Sequence, residues 1–196
     1  MDIIDKFEYK IITGLEALIG GHYHKPVNLQ ENINVESVKR FFKENNDRPE
    51  DYCNEELCKS CKGECCKSMG CYIAPDELIS VDYNTLKQLL DTGFVSIDWW
   101  EHLKIDDGYF ERGYFIRMRN QNGDVVDPSW GGVCTALTEN GCSFEFKYRP
   151  KGGRRLNPIY CKGKETENKL TYTKRQCAID WIPYYNILHE LAINLQ

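Results

Sequence analysis

At 196 residues, with 41% hydrophobic and 28% charged side chains, the chain has ordinary globular composition, which excludes a disordered or low-complexity polymer. A formal net charge of −5 argues against a sequence-independent phosphate-binding surface, so no nucleic acid is expected as a partner. No apolar run approaches the roughly 18 residues of a membrane span, and Asp2 and Asp5 stand where a secretion signal would be basic. The expectation is a cytoplasmic protein, away from the membrane, whose thiols stay reduced.

Along the chain, Ile3, Ile4, Phe7, Ile11, Ile12, Leu15 and Leu18 recur at helical spacing, and Gly20-Gly21 ends the run, which predicts a helix over 3–19. A second helix is expected over 35–44, with Val35, Val38, Phe41 and Phe42 on one face and Asn34 as its cap. Glu44 to Asp51 reads as a polar linker and the cysteine-dense stretch 53–71 as irregular. Pro75-Asp76-Glu77 opens a short helical turn, and a helix over 84–91 stops at Gly93. Residues 109–118 read as a strand, Asn122-Gly123 as its hairpin turn, and Val125-Val126 as the return arm before Asp127-Pro128. A short β segment follows around 142–146, and a last helix over 178–195 carries Trp181, Ile182, Tyr185, Leu188, Ala192 and Leu195 on its buried face. The fold class is α+β: helical N- and C-terminal segments around a cysteine-rich, partly β middle. Residues 1–50 form a helical N-terminal segment and 51–196 a cysteine-cluster domain, together one compact unit.

Ten cysteines carry the chemistry. Cys53, Cys58, Cys61, Cys65, Cys66 and Cys71 fall within nineteen residues, and Cys134, Cys142, Cys161 and Cys177 come later. Cys58 and Cys61 form C-x-x-C, whose two-residue turn lets both sulfurs converge on one ion at about 2.3 Å. Such a pair fills half of a tetrahedral shell, and the downstream cysteines can complete it. Neighbouring side chains in extended backbone point apart, so Cys65 and Cys66 would feed two adjacent ions, or one would bind while the other packs. Both options stay open, as do the roles of Cys53 and Cys177, which buried as small hydrophobes would need no metal. Zinc and iron–sulfur clusters both suit an all-thiolate set.

The run CKSCKGECC from Cys58 to Cys66, with CTALTENGCSFEFKYRP from Cys134 to Pro150 and then Cys161, resembles the YkgJ-like CxxCxxCC family of zinc- or iron-chelating proteins. Cys58, Cys61, Cys65, Cys66, Cys134, Cys142 and Cys161 match that pattern, as do Leu137, Gly141, Arg149 and Pro150, over about residues 55–162. Two departures stand out: three residues separate Cys61 from Cys65, and GGRRLNP intervenes before Cys161, which brings in Cys71 as an eighth candidate ligand. The resemblance implies metal chelation and no particular reaction. A flagellin lysine N-methylase similar to this family shows that such a module can accompany an enzyme.

Five cations, Lys147, Arg149, Lys151, Arg154 and Arg155, lie within nine residues. They would either neutralise an anionic zinc–thiolate centre or form a solvated loop, with anion capture by Arg154-Arg155 a third option. His22 and His24 read as surface histidines rather than ligands, and Asp98 to His102 as an aromatic–acidic patch used in packing. There is no phosphate loop, nucleophile elbow or C-x-x-x-C-x-x-C motif. The expected function is a metal-binding protein whose zinc or iron–sulfur cofactor organises the fold. The alternative is a metal- or cluster-dependent enzyme acting on a protein side chain or small anionic substrate, with partner or substrate unidentified.

Overall fold

The computed structural model describes residues 33–44, 63–106, 108–128, 131–155 and 172–196, with only the backbone described at positions 64 and 65. The helix expected over 3–19, the histidines at 22 and 24, and Cys53, Cys58, Cys61 and Cys161 lie outside these residues.

The described architecture is α+β. Its centre is a long antiparallel hairpin of β2 (Val95–Ile105) and β3 (Gly108–Met118), in register from Val95 opposite Met118 to Ile105 opposite Gly108. The two-residue β1 (Tyr72–Ile73) pairs with Arg117 and Ile116, giving the sheet order β1–β3–β2. A separate ribbon joins β4 (Leu137–Thr138) to β5 (Gly141–Cys142). At the base of the hairpin every residue of 95–99 and 113–118 is buried, whereas most positions near its tip are exposed or half-buried. Strands buried on both faces read as continuous apolar runs, and Tyr114-Phe115-Ile116 fits that rule.

The helices close over this base. Helix α2 (Tyr83–Asp91) is capped by Asp82, whose carboxylate accepts from the Thr85 amide at 2.9 Å, and it ends at Gly93 with φ of 81°. The short turn Pro75–Glu77 is 3₁₀-helical. The C-terminal stretch is not one helix. It consists of α4 (Lys174–Asp180), a 3₁₀ turn over Ile182–Tyr184, and α5 (Tyr185–Asn194). Pro183 lacks the N–H that a continuous helix requires, which breaks it there. Trp181 and Leu188 are still fully buried, and the Trp181 indole donates to the Ile73 carbonyl at 2.8 Å. Near the other end, helix α1 (Glu36–Lys39) is shorter than expected, and Val35 rather than Asn34 occupies its cap position. Asn34 instead accepts from the Glu36 amide at 3.0 Å. Val35, Val38, Phe41 and Phe42 do enter the common core.

The hairpin differs from the sequence expectation in its partner. Strand β3 pairs with the preceding Val95–Ile105, so the Asp98–His102 patch is strand, not an isolated packing turn. Asn122-Gly123 does form a turn, with the Gly123 amide donating to Asn120 at 2.9 Å. Val125 and Val126 then lie beside β2, in a parallel bridge to Ile97, instead of returning on β3.

Asp98 and Arg117 face each other across this hairpin, both side chains with no exposed surface, at 2.8 Å. Lys174 on α4 reaches the other Asp98 oxygen at 3.0 Å, and the Arg117 guanidinium also reaches Asp127 at 3.2 Å and the Met118 carbonyl at 2.8 Å. A buried pair missing one partner typically costs about 3–5 kcal/mol, because the other charge stays desolvated. Asp98→Ala is therefore expected to lower the unfolding free energy by about that amount in urea denaturation. Asp98→Ala with Arg117→Met should lose less than the sum of the two single changes.

Candidate metal centre

The last residues of β3 gather the cysteine-bearing segments. The Met118 amide donates to the Cys71 carbonyl at 2.8 Å, fixing Cys71 just ahead of β1. Buried Asn120 accepts from the Gly70 amide at 3.0 Å and donates to the Gly131 carbonyl at 3.0 Å, joining the stretches on either side. On the other flank Thr135 donates its amide to Arg119, and the Cys134 amide donates to the Cys66 carbonyl at 2.8 Å. Cys66 lies in a 3₁₀ turn over Glu64–Lys67, so the Cys65-Cys66 doublet is not extended as the sequence reading assumed. Cys142 sits in β5, paired with Leu137.

The outcome is that Cys66, Cys71, Cys134 and Cys142 line one cavity, together with Met118, Ala136, Phe144, Arg149 and Pro150. Of the eight sequence-expected ligands, these are the four whose side chains are described. Burial pushes the Cys71 thiol well above its ordinary pKa; Cys134 and Cys142 push in the same direction, and the Arg149 guanidinium opposes them. Cys177 is elsewhere, fully buried in the core with its sulfur 3.4 Å from the Ile73 carbonyl oxygen.

The basic segment is not a solvated loop. Lys151, Gly152, Gly153 and Arg154 form a buried helical turn, α3 (Lys151–Arg154). Glu77, itself buried, receives the Lys151 amide at 2.7 Å, the Ala74 amide at 2.8 Å and an Arg154 guanidinium nitrogen at 3.0 Å. Desolvation pushes the Glu77 carboxyl above the usual range, against the pull of Arg154 and the Ala74 amide. Lys151 pairs with Asp76 at 3.1 Å and Lys147 with Glu44 at 3.0 Å. Glycine is required here by contact: a Cβ on Gly152 would stand 2.6 Å from the Tyr72 amide nitrogen and 2.7 Å from its carbonyl oxygen. On Gly153 it would lie 3.0 Å from Arg149 Cγ and 3.4 Å from Cys71 Sγ. Sequence reasoning missed Asn120 and Glu77, since nothing local distinguishes a structural Asn or Glu from a surface one.

Among the described residues, no three Cys, His, Asp or Glu side chains are gathered closely enough to hold one ion. The four sulfurs line the cavity wall, and ligation requires them, or groups outside the described residues, to close on the metal. The donor chemistry nonetheless fits: four cysteines with no carboxylate among the lining residues suit a thiophilic ion, not a hard, oxygen-seeking one. No helix among the described residues is long and apolar enough to cross a membrane. No family model, curated protein or solved structure matches the chain.

The fit of α3 against β1 yields a test. Gly152→Ala forces a methyl into the Tyr72 backbone and is expected to cost about 1–3 kcal/mol, the usual range for overpacking. Lys147→Ala, on an exposed pair, should stay within about 0.5 kcal/mol. Thermal denaturation of the two variants side by side separates them.

Proposed function

We propose that this chain is a metal-binding protein whose multi-cysteine site holds zinc or an iron–sulfur cluster, and that the bound group helps organise the fold. Cys66, Cys71, Cys134 and Cys142 are its assigned ligands, with Cys58, Cys61, Cys65 and Cys161 carried from the sequence motif. The observation that supports the reading is convergence: two pairs of cysteines from distant stretches of chain, Cys66 and Cys71 with Cys134 and Cys142, line one cavity, while Cys177 does not. Core packing alone would not favour four sulfurs beside a buried guanidinium. Such a centre works in a reducing compartment, which agrees with a cytoplasmic location. Bound metal would supply cross-linking of these segments, and its ligation free energy is then also folding free energy.

Anaerobic purification followed by metal analysis, acid-labile sulfide assay and a visible spectrum tests this directly. Zinc without sulfide, or iron with sulfide and a brown colour, is the expected result and decides between the two. A protein with neither, protected from oxygen throughout, would overturn the proposal. Full chelation should lower the melting temperature, and an unchanged melt with unchanged circular dichroism would remove the organising role.

Proton linkage gives a second check. The Cys71 thiol, raised by burial and by its neighbours, keeps its proton at neutral pH in the metal-free protein. Binding must expel that proton, so affinity rises with pH and falls on acidification, by about tenfold per pH unit for each proton released. Titration calorimetry in buffers of different ionisation enthalpy counts the protons, and a count of zero on metal uptake would contradict the thiolate assignment.

A further inference from the structure

We propose that Arg149 is the charge-compensating residue of the cysteine centre, a positioning residue that sets how firmly the sulfurs hold a metal and how readily they donate to it. The inference rests on the metal-centre reading above. Four of the five cations in this part of the sequence have contacts or surroundings that differ in kind. Lys147 is bound to Glu44 at the surface, Lys151 to Asp76, and Arg154 to the buried Glu77. Arg149 lines the sulfur cavity and is only 7% exposed.

Its stem and its backbone are both placed beside the cavity, and its guanidinium lies over the Phe146 ring at 5.6 Å. The position of a Gly153 Cβ lies 3.0 Å from Arg149 Cγ, 3.2 Å from its Cδ and 3.4 Å from Cys71 Sγ, so the arginine stem and the cysteine sulfur flank the same point of backbone. The Arg149 backbone is itself held, its carbonyl accepting from the Arg154 guanidinium that Glu77 anchors. Four thiolates around a divalent ion carry a net charge of about −2, and in a buried site that charge needs nearby donors or cations. A guanidinium is suited to this, being permanently charged and more weakly hydrated than an ammonium. It lowers the energy of the sulfur lone pairs, which strengthens anion-like ligation and raises the energy of sulfur-to-metal charge transfer.

The test uses the full chain, freed of metal and kept anaerobic, with Co²⁺ as the probe. Arg149→Gln should still bind Co²⁺ with wild-type stoichiometry, but about 10–100-fold more weakly, the usual effect of removing a partner of the ligands. Its sulfur-to-cobalt band should move to lower energy, a signature that a purely structural role would not produce. Arg149→Lys, which keeps the charge, should recover most of both properties. Arg149→Met, which keeps an apolar stem without the charge, should shift the band in the same direction and serves if Arg149→Gln does not fold. Unchanged affinity and band position in Arg149→Gln would overturn the proposal while leaving the metal centre standing. So would an Arg149→Lys variant as impaired as Arg149→Gln, with equal loss of stability in the metal-free chain. A wild-type chain that takes up neither Co²⁺ nor Zn²⁺ would overturn the metal-centre reading itself, and this inference with it.

Discussion

A buried carboxylate, that of Glu77, holds together the parts of the molecule on which the rest depends. Removing such a group from water costs several kcal/mol unless its oxygens are satisfied. Here the Ala74 amide satisfies one oxygen, and the Lys151 amide and Arg154 share the other. Its backbone carbonyl meanwhile accepts from the Lys43 amide, and Phe41 accepts from Ile79. One residue therefore ties the 33–44 segment, the approach to the sheet and the α3 turn. If any of these moved, a charge would be left uncompensated in the interior. That penalty fixes where the Gly152-Gly153 backbone meets Tyr72 and Cys71.

The sheet supplies the second constraint. The hairpin β2–β3 is long enough to have a buried base and an exposed tip, and the Asp98–Arg117 pair locks that base to α4 through Lys174. Strand β3 runs directly from this locked region into Met118, Arg119 and Asn120. Those three residues pair with Cys71 and Gly70 on one side and with the 133–135 stretch on the other. Cysteines more than sixty positions apart in sequence thus become neighbours because both border the same few residues. The cavity is a consequence of strand pairing, not of any local cysteine motif.

This explains what was legible beforehand. The cysteines could be picked out because thiolate chemistry is specific to residue type and spacing, and the strand 109–118 and the helix ending at Gly93 showed through their own patterns. Strand β2 was hidden by Asp98, a charge whose burial makes sense only with Arg117 nineteen positions on. Asn122-Gly123 drew the hairpin to the wrong side, although the sequence Asp107-Gly108 offers equivalent turn chemistry and Ile105 pairs with Gly108. The break in the C-terminal helices was readable at Pro183, but the apolar periodicity across it argued for continuity. The burial of the Lys151–Arg154 turn depends on Glu77, again a distant partner, so its sequence read equally well as solvent-exposed.

The placement of the sulfurs also bears on why a metal would matter here. Cys71 precedes a two-residue strand, Cys142 lies in another, and Cys66 lies in a single 3₁₀ turn. The β4–β5 ribbon, two-stranded and two residues long, has little stability of its own, while β1 is an outer strand of the three-stranded sheet. The cavity borders the common core, in which Cys134, Met118, Ala136 and Phe144 are buried together with Trp181, Phe115, Ile116 and Leu188. Cys66, Cys71 and Cys142 thus sit in or beside short elements, and with the buried Cys134 they line one cavity. A cross-link at that point would join these short segments to one another, whereas the same cross-link inside the hairpin base would duplicate contacts that strand pairing already provides. On the proposed reading, the metal ties these short elements to the core that they border.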